Sequence, residues 1–178
     1  MFSRSVVFCF IISYTLYGQG DLEKGIDYYN NRQDGSTKSA AVITPINNAI
    51  SSLTKALNNP TTEEQAALYL MKSYYFRGKY VHDDIENKKV DFNNGKKLGE
   101  KYINQYPDSP AFRFWYLVNL GSWAEEYGVI SAAREGVADL MRKHSKKIIS
   151  LDPEFENGGG YFMLGVVHYK SPYIPFIL

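Results

Sequence analysis

The residues best suited to chemistry in this 178-residue chain lie on one stripe of one predicted helix. At 100° per residue, Phe112, Trp115, Asn119, Trp123 and Glu126 fall within about 80° of one another. Indole and phenyl walls around a carboxamide and a carboxylate have the composition of a small-molecule site, with Asn119 and Glu126 as the polar contacts. Core packing competes with that reading. Phe114, Leu117, Val118 and Leu120 make the same segment apolar nearly all round, and such a helix is normally buried. Aromatic stripes in repeat arrays commonly serve as packing surfaces, so packing outweighs the pocket.

Other candidates carry less. Arg134 suits an anionic ligand because its planar fork matches carboxylate geometry. It sits at the edge of an apolar face formed by Ala133, Val137, Leu140, Met141 and Ile148, on a helix expected from about Ile130 to Ser150. His144, in the middle of that face, could orient a carboxylate, but a hydrogen-bonded core histidine is the commoner role. His82-Asp83-Asp84 packs metal-ligand residue types together, yet a metal site needs three or four converging ligands, and Glu86 and Asp91 cannot be shown to converge. An exposed polar insertion from Val81 to Asp91 is the expectation there. Gly158-Gly159-Gly160 lacks the Lys-Ser/Thr of a nucleotide loop and reads as a closely packed turn. No Ser-His-Asp order, zinc signature or dinucleotide fingerprint is present. We therefore assign no catalytic residue, no metal ligand and no cofactor from the sequence.

The elements that must position these residues follow from composition and punctuation. Apolar residues make up 44% and charged residues 22%, with 15 Tyr, 10 Phe and 2 Trp, which suits a packed globular chain rather than a disordered one. Lys and Arg total 20 against 19 Asp and Glu, so a general nucleic-acid-binding surface is disfavoured. Residues 1–20 read as a secretory leader. Arg4 precedes an apolar run from Val6 to Leu16, about 11 residues and too short to span a bilayer, and Gly18 and Gly20 suit the positions before a cleavage site. Cys9, the single cysteine, lies within that run rather than at a lipobox, so the mature chain has no disulfide or cysteine nucleophile.

From Asp21 onward the 3.6-residue apolar period predicts an all-α chain. Pro60, Pro107 to Pro110 and Leu151-Asp152-Pro153 close helical stretches, and Thr61, Thr62, Asp108 and Ser109 are placed to cap the next ones. The pattern between these breaks is that of the roughly 34-residue tetratricopeptide helical hairpin. Ala67, Leu70, Met71 and Tyr74 fit a first helix, and Gly95, Gly99, Tyr102 and Pro107 its second. Ala49, Leu53, Ala56 and Pro60 end a preceding copy; Met141, Ser145, Ile148 and Pro153 end a later one; Tyr161, Leu164, Gly165 and His168 begin another. Small residues let paired helices approach and large ones fill the gaps. The expected architecture is a tetratricopeptide-like α-solenoid, a right-handed array of hairpins with a concave face, forming one domain over 21–178 that is cut short at its C-terminal end.

The stretch from Phe92 to Lys101, with Phe114 to Glu125, Gly136-Val137, Leu151 to Tyr161 and Leu164-Gly165, resembles the TRAP transporter T-component family, the periplasmic tetratricopeptide-type proteins of tripartite ATP-independent transporters. The resemblance implies an α-helical, ligand-cupping protein of a Gram-negative periplasm that trimerises and docks a transporter's substrate-binding protein. The absence of a lipobox and the apolar end Ile174-Pro175-Phe176-Ile177-Leu178 depart from the family pattern. The resulting expectation is a non-catalytic accessory that binds a partner protein or a small ligand at Trp115, Asn119, Trp123, Glu126 and Arg134. A ligand-free interaction scaffold and, behind it, an unrecognised hydrolase are the alternatives. A Trp115/Trp123 face filled by a neighbouring hairpin would favour the scaffold; an open cavity there would favour ligand handling.

Overall fold

A computed structural model describes residues 18–38 and 40–170. The apolar run of the expected leader and the tail from Ser171 lie outside the described residues. Those residues form an all-α chain. The first helix, α1, covers 18–30, and so includes Gly18 and Gly20. It is followed by α2 (Ile43–Ala56), α3 (Glu63–Tyr80), α4 (Ile85–Gln105), α5 (Pro110–Tyr127), α6 (Val129–Arg134), α7 (Val137–Leu151) and α8 (Gly159–Lys170). No strand is present among the described residues. None of the helices among them is long and apolar enough to cross a membrane.

The chain groups into two compact units, one ending at Asp91 and the other starting at Phe92, with the division falling inside α4. In the first unit α2 packs on α3. Ile46, Ala49, Leu53 and Ala56 form the buried stripe of α2, at the spacings a helix needs to present one face. Ala66, Ala67, Leu70 and Met71 bury the start of α3. The turn between them is pinned by Thr62, whose hydroxyl donates to the Ala56 carbonyl at 2.7 Å rather than capping α3 with its side chain. That bond accounts for one of the orphan carbonyls at the end of α2.

In the second unit α7 packs on both α5 and α8. Tyr102, Phe112, Leu117, Leu120 and Ile148 are among its fully buried side chains, each contributing about 1.5–3 kcal/mol by leaving water. Tyr102, Tyr106 and Phe112 stack with centroids 5.3–6.2 Å apart and join the end of α4 to the start of α5. The start of α5 is built as its sequence suggests. Pro110 opens the helix, where its missing N–H costs nothing, and Ser109 Oγ accepts from the Phe112 N–H at 3.5 Å.

The single helix expected near Ile130 to Ser150 is instead two pieces. Gly136 takes φ +64°, a left-handed conformation that separates α6 from α7. The apolar face expected on that helix is accordingly shorter. Val137, Met141, His144, Ser145 and Ile148 are buried, whereas Ala133 is exposed on α6.

Candidate functional site

The aromatic stripe of α5 faces inward against α4. Phe112, Asn119 and Trp123 are buried, and Trp115 and Glu126 are half-buried. Asn119 has no solvent-exposed surface, and its Nδ2 donates to the Trp115 carbonyl one turn back at 2.9 Å. Opposite it lies Gly95 of α4. A Cβ at Gly95 would stand 2.1 Å from Asn119 Oδ1 and 2.3 Å from its Cγ, so only a residue with no side chain lets the two helices meet. One residue on, Lys96 lays its Nζ 4.3 Å from the centre of the Trp123 ring and pairs with Glu135 at 2.7 Å. Tyr127 stacks on Trp123 with centroids 4.4 Å apart. Trp115 meets Phe114 edge to face at 5.7 Å, and Phe114 meets Phe155 at 5.8 Å.

The surface with the composition of a ligand pocket is therefore occupied by the chain's own Gly95 and Lys96. Arg134 is not brought to it. Its side chain is exposed at the end of α6 and forms no ion pair among the described residues; the neighbouring Glu135 is the residue that reaches back to Lys96. Gly159 and Gly160 also pack closely: a Cβ on either would come within 2.8 Å of Phe114 or Ile149 respectively, which accounts for the small residues at that turn.

No protein-family model matches the chain, and no curated protein or solved structure matches it either. The site must be read from its own geometry.

That geometry contains two polar centres the sequence reading did not assemble. In the second unit, the buried Arg113 directs Nε and Nη2 to the Pro107 carbonyl at 3.2 and 2.5 Å, while Nη1 lies 3.0 Å from His144 Nδ1. Tyr116 meets the imidazole edge to face at 5.1 Å. Burial, then Arg113 and Lys143, lower the His144 pKa to about 4. Burial likewise pushes the Tyr116 hydroxyl up to about 12, with Glu100 and Glu135 adding to the effect. The centre is thus a neutral histidine against a fixed cation. His144 is the core histidine its position suggested, with Arg113 as the partner that periodicity could not supply.

In the first unit, Arg77 grips Asp91 with two parallel bonds, Nε to Oδ2 at 2.8 Å and Nη2 to Oδ1 at 2.6 Å, and gives Nη1 to Asn47 Oδ1 at 2.7 Å. Asp91 is only 1% exposed. The hydrogen bond to Asp91 is the main reason that the Arg77 pKa rises above its usual value. His82 Nε2 approaches Asp91 Oδ2 at 3.2 Å. The segment expected to be an exposed insertion thus supplies the buried carboxylate. Only its first residues form a loop; Asp84 accepts from the Asn87 N–H at 2.8 Å, and the rest are the first turns of α4.

The His82–Asp91 contact has the spacing of an acid–base dyad. Arg77 already engages both oxygens of Asp91, so this carboxylate works as a clamp between α3 and α4. Among the described residues there is no group of three or more His, Cys, Asp or Glu side chains placed to hold a metal.

Proposed function

We propose that the protein is a non-catalytic helical-hairpin scaffold that binds another protein. The observation that carries this reading is the filling of the Trp115–Asn119–Trp123 stripe by Gly95 and Lys96, which makes it a packing seam instead of a ligand cavity. The small residues that define the hairpin pattern support a tetratricopeptide-like arrangement: Ala49, Ala56, Ala67 and Gly95 are all buried. Large aromatics meanwhile stand in solvent on α8, where Tyr161 is 56%, Phe162 67% and Tyr169 89% exposed. Side chains of that kind anchor protein interfaces. Binding of this sort works by positioning, with no bond made or broken.

The resemblance to TRAP transporter T-components gives the first partner to try, a substrate-binding protein of such a transporter in the periplasm. Co-purification of the full-length chain with that protein, followed by cross-linking, is expected to recover a stoichiometric complex. No association would remove the transporter role. Native mass spectrometry of the purified chain tests the ligand-free part of the reading, with the unliganded mass expected. A bound small molecule lost on Trp123→Ala would restore the pocket.

A further inference from the structure

Arginine has no acceptor, so the 3.0 Å contact between Arg113 Nη1 and His144 Nδ1 requires a lone pair on Nδ1 and places the ring proton on Nε2. Arg113 cannot yield by losing a proton, and the Pro107 carbonyl holds its other edge. A proton arriving on His144 would turn its acceptor into a second donor and set two cations face to face at a buried position. From this geometry we infer that His144 is an acid-sensitive latch, holding α7 to α5 when neutral and releasing it when protonated.

Among the described residues, none of the charged groups around the latch pairs with the new charge; Glu100, whose charge reaches Tyr116, forms no ion pair with His144. From α5 come Arg113 itself and Tyr116, whose hydroxyl stays un-ionised. The turn before α5 brings Asp108, which is drawn to Lys147 at 3.3 Å. On α7 itself Lys143 adds further positive charge. Of the titratable and charged side chains on α8 and at the end of α6, Lys170 is taken by Glu125, Glu135 by Lys96, and His168 and Arg134 are exposed. No carboxylate among the described residues pairs with His144.

The direction follows from proton linkage. The folded state keeps His144 neutral down to about pH 4, whereas the unfolded imidazole takes up its proton near 6.5. Unfolding therefore absorbs a proton between those values, and the second unit weakens as pH falls through that window. In the first unit His82 lies 3.2 Å from the Asp91 carboxylate and not against a cation, so the conflict of like charges belongs to the α5–α7 packing.

Hydrogen exchange of the full-length chain at pH 7 and pH 5, corrected for the intrinsic rate, tests the latch. Residues 137–151 are expected to open about tenfold more at pH 5, residues 63–80 much less, and His144→Gln, which keeps an acceptor but cannot be protonated, is expected to abolish the difference. Equal pH dependence in the variant and the parent would overturn the inference. Should the variant not fold, the His144 ring signal in the parent decides: a midpoint below pH 5 accompanied by opening of the α5 and α7 amides, or loss of the signal with unfolding, supports the latch. Reversible titration of the ring with undisturbed α5 and α7 amides refutes it.

Discussion

Gly95 and Asn119 meet so closely that a single methyl group on the glycine would lie 2.1 Å from the amide oxygen opposite. The contact sits at the centre of the stripe whose residue types most resemble a binding site, and it makes that stripe part of the core. With Lys96 over Trp123 one residue further along, the side of α5 that could have lined a cavity is covered by α4.

Trp123→Ala is expected to act on stability. Removing a buried indole together with its contacts to Lys96 and Tyr127 should cost about 3–5 kcal/mol, read as a lower urea midpoint with an unchanged slope. A variant as stable as the parent would mean that the ring is not packed as described.

The clamp between Arg77 and Asp91 gives a second test. Asp91→Ala leaves the Arg77 guanidinium without its bidentate partner and should cost about 2–4 kcal/mol, below the full cost of a broken buried pair because Arg77 is partly exposed. A double-mutant cycle with Arg77→Ala should show a coupling of at least about 1 kcal/mol. Additive losses would reduce the pair to a surface contact.

At the start of α5, Ser109→Ala should destabilise by about 0.5 kcal/mol, the low end for an N-cap, since the bond to the Phe112 N–H is long at 3.5 Å. Ser109→Asp should restore the loss. Failure of the aspartate to rescue would show that the side chain does not cap.

These residues also mark where sequence reasoning worked. Helical periodicity, proline breaks and the Ser109-Pro110 start are local signals, each fixed within one turn of chain, and the helices follow them closely. Small residues at helical spacing were legible for the same reason: Ala49 and Ala56 are buried on α2, which packs on α3, and Gly95 is small because Asn119 of α5 lies against it. Gly136 was not legible as a break, since a lone glycine inside an apolar period is compatible with an unbroken helix, and the period does not encode its φ of +64°.

The polar centres were hidden by distance along the chain. Arg113 and His144 are 31 residues apart, and Arg77 and Asp91 face each other across the loop at 81–84. A periodic pattern says which side of a helix is apolar but not which charged group reaches across from the next one. His168 shows the converse. Its place in the expected repeat predicts packing, yet it is exposed on α8.

The packed seam between α4 and α5 is tested directly by a cycle built on Gly95→Ala and Asn119→Ala, read by urea unfolding. In the parent background Gly95→Ala should lose about 1–3 kcal/mol from overpacking, despite the roughly 1 kcal/mol that alanine normally gains over glycine within a helix. With Asn119→Ala already in place, the same change should become neutral or stabilising. A Gly95→Ala variant that is more stable than the parent, with the same increment in both backgrounds, would contradict the seam and reopen Trp115, Asn119 and Trp123 as the wall of a cavity.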